Sequence, residues 1–149
     1  MASDRAYSRM ASGGWEWDID HLNELGFKKG SVLRVSMKNF LTYDSSEVFP
    51  GPRLNVVLGP NGTGKSTITH AICLACCGGP QTVGRSPDLL QFIKHGKEEE
   101  ECYVEVDLFR EPLGEGDVVR IRRTIQKGSA GWVLISLSLS LLSPLSLPL

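Results

Sequence analysis

One stretch near the middle of the chain constrains the fold more than any other, because an apolar run, a glycine-rich loop and a helical pattern follow one another without a break. From Gly59 the loop reads G-x-x-x-x-G-K-S, which is the spacing of a phosphate-binding loop. The apolar run at 54–58 predicts a buried parallel strand, and the apolar residues at 68–76 predict a buried helix that ends at Gly78. This order favours a nucleotide-binding unit over an ordinary glycine-rich turn.

Each fixed residue of the loop has a mechanical role. Glycines adopt backbone conformations that are closed to residues with a β-carbon, so successive N–H groups can surround phosphates, and the helix N-terminus adds its own unpaired N–H groups. Lys65 is predicted to contact the β and γ phosphates of ATP, and Ser66 to coordinate the accompanying Mg²⁺. The predicted nucleotide-binding residues are Gly59, Asn61, Gly62, Thr63, Gly64, Lys65, Ser66 and Thr67.

The composition is that of one modest domain. The chain has 149 residues, 41% of them hydrophobic, and a formal net charge of -1, so contact with nucleic acid depends on a local basic patch. Residues 1–10 hold no apolar signal segment, which favours an intracellular setting. The four cysteines lack zinc-ligand spacing, and we expect Cys73, Cys76 and Cys77 to be small buried packing groups.

Two strand pairs are predicted, one on each side of the loop and its helix. Apolar and polar residues alternate at 33–38, and a second strand begins at 48–49 after a polar and aromatic loop. The same alternation at 102–109 predicts a strand, which a glycine turn at 113–116 joins to a hairpin partner around 119–122.

Acidic and basic residues near these elements are further candidates. Asp107 is a weak candidate for a magnesium ligand, because Glu105 interrupts the apolar run that usually precedes such a residue. Ser86-Pro87-Asp88 predicts the start of a short helix that ends at Gly96. Arg85 and Lys94 belong to a basic group around this helix, and either a DNA backbone contact or a solvated face explains them.

The two ends of the chain differ from the middle. Residues 1–29 lack periodicity and predict a disordered leader, in which a tryptophan pair is incidental rather than a docking element. Residues 135–149 are almost wholly Ser, Leu and Pro, and this tail is too short and too broken for a membrane span of about twenty apolar residues. As a strand it would present one apolar face.

Several segments together resemble the N-terminal part of the ATPase head of structural maintenance of chromosomes (SMC) proteins. The segment Asn39-Phe40-Leu41-Thr42-Tyr43-Asp44 and its spacing from the loop are more specific than the loop alone. The resemblance covers about two thirds of the chain, from Ser31 to Trp132, and the other matching segments are 30–35, 50–55, 71–74 and 92–94.

The resemblance implies an α/β fold of the P-loop NTPase class. This chain would supply part of the N-terminal lobe of an ABC-type ATPase head, with a mixed sheet and an antiparallel hairpin. It implies that two heads sandwich ATP and Mg²⁺, that Lys65 and Ser66 bind phosphate and magnesium, and that Arg85 senses nucleotide or DNA. It also implies a nuclear, chromosomal assembly with structural maintenance of chromosomes protein 6, DNA, and non-SMC subunits that include a SUMO ligase. That assembly acts in chromosome maintenance and in double-strand break repair by homologous recombination.

We therefore divide the chain into a leader at 1–29, a head lobe at 30–134 and a tail at 135–149. The family's C-terminal half-head, with its signature motif and catalytic glutamate, has no counterpart here, and we expect the chain alone not to hydrolyse ATP. We also expect the tail to replace the true continuation through read-through or mis-splicing.

Two other functions compete with an ATPase-head segment. A small stand-alone P-loop kinase or NTPase is disfavoured, because the chain passes from the helix into an antiparallel hairpin instead of alternating strands and helices. A non-catalytic interaction fragment would need a folded surface but no intact ATP site.

Overall fold

A five-stranded sheet forms the body of the protein. The computed structural model describes residues 6–11, 14–85, 87–110, 117–127 and 129–137. Every strand pair among these residues is antiparallel, and the order across the larger sheet is β4-β3-β5-β6-β7. The elements are β1 Tyr7–Arg9, β2 Trp15–Trp17, α1 Ile19–Leu25, β3 Val32–Phe40, β4 Tyr43–Val48, α2 Lys65–Ala75, two 3₁₀ helices at Pro80–Val83 and Leu89–Phe92, β5 Cys102–Arg110, β6 Asp117–Gln126 and β7 Ser129–Leu137.

A strand pair forms on each side of the loop as predicted, but the strand expected to begin at 48–49 instead spans Tyr43–Val48 and ends there. Val35 lies opposite Val48 in the first pair, and Val106 lies opposite Ile121 in the second. The loop predicted at 39–44 is shorter than expected, because β3 continues to Phe40 and β4 begins at Tyr43. The predicted turn at 113–116 lies outside the described residues.

The two faces of the sheet are covered by different parts of the chain. Alternation along β5 places Val104 and Val106 on one face and Phe109 on the other. Helix α2 packs on the first face through Ala71 and Leu74, which are fully buried. The second face buries a smaller cluster that contains Ala6, Leu22, Phe27, Leu33, Phe109 and Val118.

The prediction of a disordered leader is wrong for its described residues, 6–11 and 14–29. Strands β1 and β2 pair, Asp18 caps α1 by accepting from the His21 N–H at 3.0 Å, and Gly26 ends the helix in the left-handed conformation. The Tyr7 ring stacks on Phe49 with centroids 4.3 Å apart. Side-chain packing therefore orders a segment whose composition alone favours disorder.

The strand predicted at 54–58 does not form. These residues have no regular secondary structure, and Leu54 and Leu58 are 89% and 86% exposed. A parallel strand needs another strand beside it, and no described strand pairs with this run. The apolar composition identified residues that can be buried, but it did not identify the partner that buries them.

Two other predictions need correction, that for the helix after Arg85 and that for the burial of α2. Asp88, not Ser86, caps the predicted helix, which is only the short 3₁₀ helix at Leu89–Phe92; Ser86 itself lies outside the described residues. Helix α2 is buried along one face rather than all round, so Cys76 and Cys77 are exposed at its end while Cys73 is half-buried. No three potential metal-ligating side chains come together among the described residues.

The tail begins inside the sheet. Strand β7 contains residues 135–137, so the predicted boundary at residue 135 falls within a strand, and residues 138–149 lie outside the described part. None of the described helices combines the length and the hydropathy that crossing a bilayer requires.

A buried group of ion pairs lies on the sheet face opposite α2. Asp107, which is fully buried, accepts from Arg34 Nε at 3.0 Å and from Arg120 Nε at 2.6 Å, and Glu105 pairs with Arg34 and Arg122. Burial alone raises the pKa of Asp107, but the hydrogen bonds from Arg120 and Arg34 outweigh it and hold that pKa below its usual value. Asp107 is therefore committed to two arginines and is a poor candidate for a magnesium ligand.

We expect Asp107→Asn to destabilise the fold by about 3 kcal/mol at neutral pH, because the buried Arg34 and the partly buried Arg120 guanidinium groups lose a shared counter-charge. The carboxylate's contribution is present above the ordinary pKa of 3.8 and is lost as pH falls through the lower folded-state pKa. Urea unfolding between neutral and acidic pH measures both effects, and the variant should show a flatter acid dependence than the wild type.

Glu99→Gln is the matched control, since it removes a carboxylate whose ion pair with Lys127 is exposed. This control should unfold close to the wild-type urea concentration. Equal stability of Asp107→Asn and Glu99→Gln would contradict the structural role of the buried group.

Candidate nucleotide-binding site

The glycine-rich loop passes directly into the N-terminus of α2. Gly62 and Gly64 have φ of 84° and 88°, which is the left-handed region that glycine adopts most easily. Gly64 occupies the N-cap position and provides no side-chain hydrogen bond to the first turn of α2. The leading N–H groups of a helix lack intrahelical acceptors, so this terminus presents donors to an anion.

The Lys65 side chain folds back across the loop. Its Nζ donates to the carbonyl oxygens of Gly59 at 2.7 Å and Pro60 at 2.5 Å. The Thr63 hydroxyl donates to the same Pro60 carbonyl at 2.9 Å. The Lys65 ammonium group thereby joins the start of the loop to its end at the N-terminus of α2.

The turn between β3 and β4 contacts the loop from the side. The Tyr43 hydroxyl lies 3.3 Å from the Thr63 carbonyl oxygen and 3.4 Å from that of Gly64. A β-carbon added at Gly64 would lie 2.6 Å from Thr42 Oγ1 and 3.0 Å from the Tyr43 ring. Sequence analysis did not assign Thr42 or Tyr43 to the site, although the segment that contains them carried the family resemblance.

The two predicted basic site residues lie elsewhere. The Arg85 guanidinium lies 5.6 Å from the centre of the Phe92 ring, and Lys94 Nζ forms an ion pair of 2.6 Å with Asp44. Among the described contacts, none joins either residue to 59–67. Burial lowers the pKa of His70 on α2, and the nearby Arg85 charge lowers it further.

The residues present fit a polyphosphate with its metal ion. The loop combines left-handed glycines, an uncapped helix N-terminus and one lysine ammonium. Ser66 is exposed in the first turn of α2, beside that terminus. What the site lacks is the expected strand before the loop, so the loop is held by α2 and by the β3–β4 turn.

A family model described as an AAA domain matches residues 34–134. The chain belongs to the AAA domain family. Structural maintenance of chromosomes protein 5 of Schizosaccharomyces pombe is 53% identical over 68 residues, which are 46% of this chain and 6% of the relative. The same protein of Caenorhabditis elegans is 43% identical over 106 residues, 71% of this chain and 9% of the relative.

These matches confirm the SMC resemblance, and they agree with an N-terminal segment of structural maintenance of chromosomes protein 5. This chain also resembles a solved structure described as "Structural biochemistry of ATP-driven dimerization and DNA stimulated activation of SMC ATPases". The TM-score is 0.60 at 23% identity, covering 69% of this chain and 68% of the other.

That likeness confirms the predicted fold class, part of a P-loop ATPase head lobe. The chain spans only about a tenth of the length of the curated relatives it matches.

Alanine substitutions at Gly64 and Gly62 should separate steric contact from backbone strain. Both residues are left-handed, so alanine costs about 1–2 kcal/mol at either position. Only at Gly64 would the new methyl group collide with Thr42 and Tyr43, since nothing lies within 4 Å of the corresponding position at Gly62. We expect Gly64→Ala to be less stable by about a further 1–3 kcal/mol in urea unfolding. Equal losses would contradict the contact with the β3–β4 turn.

Proposed function

We propose that the chain is the ATP-binding N-terminal head segment of a chromosome-maintenance ATPase. The observation that carries the proposal is the loop at 59–67, where Lys65 reaches across an uncapped helix N-terminus to the carbonyls of Gly59 and Pro60. The match to an AAA domain and the SMC relatives support the same function.

In this proposal the loop exchanges its internal contacts for phosphate oxygens. Lys65 releases the Gly59 and Pro60 carbonyls and donates to the β and γ phosphates, while backbone N–H groups between Gly62 and Thr67 surround them. Ser66 supplies a hydroxyl ligand to Mg²⁺. The ion, when bound, neutralises part of the phosphate charge.

The site is proposed to be half of a composite one. Leu54, Val56, Val57 and Leu58 are exposed immediately before the loop, an arrangement that suits burial by a further strand or subunit. We propose that the remaining part of the head covers this run and that a second head completes each ATP site, as the family resemblance implies.

Hydrolysis by this chain alone is not part of the proposal. The carboxylates of Glu105 and Asp107 on β5 are held by arginine side chains, and a base for the attacking water needs a free carboxylate near the γ phosphate. In the assembled protein the base would come from the other half of the site.

The wider role is proposed from the family resemblance of the sequence. The assembly would contain structural maintenance of chromosomes protein 6, DNA, and non-SMC subunits with a SUMO ligase, and it would act on chromosomes in the nucleus in double-strand break repair by homologous recombination. Arg85 and Lys94 are the proposed nucleotide- or DNA-sensing residues, and Lys94 would first have to leave Asp44.

One competing function has a specific observation in its favour. The exposed run at 54–58 would also serve a non-catalytic fragment that competes for a partner of a longer protein. A stand-alone kinase or NTPase has no such support, since β5 and β6 form an antiparallel hairpin instead of an acceptor-site unit.

Calorimetric titration with ATP and Mg²⁺ tests the phosphate loop. Lys65→Ala should weaken binding at least tenfold, because a charge-assisted hydrogen bond contributes about 1.5–3 kcal/mol. Lys127→Ala is the control, since it removes the same charge from an exposed pair with Glu99. Equal binding by the wild type and Lys65→Ala would refute the assignment.

Measuring phosphate release from ATP distinguishes the proposed function from the two competing ones. We expect no turnover of ATP by the native chain, because the composite site is incomplete. Turnover that is lost in Lys65→Ala would instead support the stand-alone enzyme. Binding to a partner that Leu58→Ser abolishes and Lys65→Ala leaves intact would support the interaction fragment.

A further inference from the structure

The side chain of Tyr43 connects the turn of the antiparallel sheet to two consecutive peptide groups of the loop. Its hydroxyl lies 3.3 Å from the Thr63 carbonyl oxygen and 3.4 Å from the Gly64 carbonyl oxygen. The Gly64 carbonyl also accepts the Thr67 N–H at 3.0 Å, in the first turn of α2. Tyr43 therefore contacts the loop where it becomes helix.

A contact that fixes the orientation of a carbonyl group also fixes the orientation of the N–H of the next residue. A trans peptide group is planar, and its C=O and N–H point in opposite directions. Carbonyls of Thr63 and Gly64 that face Tyr43 consequently direct the N–H groups of Gly64 and Lys65 away from Tyr43. These are two of the donors that a phosphate would use at this helix terminus.

The turn that carries Tyr43 is itself firmly held. Leu41 donates its N–H to the Phe92 carbonyl at 2.8 Å, and Lys94 donates its N–H to the Asn39 carbonyl at 2.8 Å. The rings of Phe40 and Phe92 stack with centroids 5.7 Å apart, and both are fully buried. Side-chain positions on such a turn are set by the core and not by the loop.

The backbone of the turn supports the same interpretation. Asn39 and Leu41 have φ of 48° and 50°, a left-handed conformation that residues with a side chain seldom adopt. Strained conformations persist where the surrounding structure determines them, and they concentrate near functional sites. The contact at Gly64, where an added β-carbon would meet Thr42 and Tyr43, shows how closely the turn approaches the loop.

We infer that Tyr43 is a positioning residue for the phosphate loop, whose hydroxyl orients the Gly64 and Lys65 amides toward bound phosphate. This inference rests on the proposed nucleotide site and names a residue outside the loop that prepares it. Tyr43 does not contact the nucleotide in this arrangement. Its effect reaches the phosphates through the two peptide groups that it holds.

Tyr43→Phe is the decisive variant, because it keeps the ring against Gly64 and removes only the hydroxyl. Tyr103→Phe is the matched control, since the Tyr103 ring packs under the Arg122 guanidinium on the sheet. Without ligand, Tyr103→Phe should keep the wild-type melting temperature, and Tyr43→Phe should lower it by no more than the loss of one neutral hydrogen bond explains. In ¹⁵N relaxation of the ligand-free full chain, the Gly64 and Lys65 amides should become more mobile in Tyr43→Phe alone.

Calorimetric titration then gives the functional result. Tyr43→Phe should weaken binding of Mg·ATP and of inorganic tripolyphosphate by the same factor, about fivefold to tenfold, because the Gly64 and Lys65 amides must then be ordered on binding and the base is not involved. The wild type, with tyrosine at 43, gives the reference affinity, and Tyr103→Phe should match it.

The outcomes separate this inference from the proposed function. Unchanged amide mobility in Tyr43→Phe overturns the inference, whether or not the chain binds ATP. Wild-type affinity in Tyr43→Phe with binding lost in Lys65→Ala overturns the inference and leaves the phosphate loop intact. Failure of the wild type to bind Mg·ATP or tripolyphosphate overturns the proposed function. A lowered melting temperature of Tyr43→Phe with unchanged affinity would assign its hydroxyl to fold stability and overturn the inference.

Discussion

The packing of helix α2 on the antiparallel sheet is the interaction on which the loop depends. Ala71 and Leu74 are fully buried against strand residues such as Val104. At the other end of the helix, Arg123 of β6 donates to the carbonyl oxygens of Leu74 at 3.3 Å and Gly78 at 3.1 Å. A helix of this length is marginal in water without tertiary contacts, so the sheet provides the stability that the helix sequence lacks.

This external support explains how the helix can leave its N-terminus without a side-chain cap. A Ser, Thr, Asp or Asn at the N-cap usually stabilises a helix by about 1 kcal/mol, and Asp18 performs that role for α1. Gly64 makes no such bond at α2, although glycine at an N-cap costs only about a few tenths of a kcal/mol relative to these residues. The unpaired N–H donors destabilise the helix terminus in the free protein, but they favour the binding of an anion there. Natural proteins retain such local conflicts mainly at functional sites.

The sequence predicted the features that local patterns determine. Alternation was sufficient to place β3, β5 and the partner of β5, and the G-x-x-x-x-G-K-S spacing was sufficient to place the turn into α2. The larger failures involve contacts between distant parts of the chain, whereas the misplaced cap at Asp88 is a local error. Tyr7 orders the leader by stacking on Phe49, Tyr43 reaches a loop twenty residues further along the chain, and residues 54–58 lack a described strand partner.

Residues of the leader are part of the folded unit, which therefore begins before the region that the family model matches. The family model starts at residue 34, yet Ala6, Leu22 and Phe27 share a buried cluster with Phe109 and Val118 on the second face of the sheet. A boundary placed by family similarity would therefore cut through a hydrophobic core. One face of this sheet belongs to the common architecture of the family, and the other is closed by residues that the family match does not include.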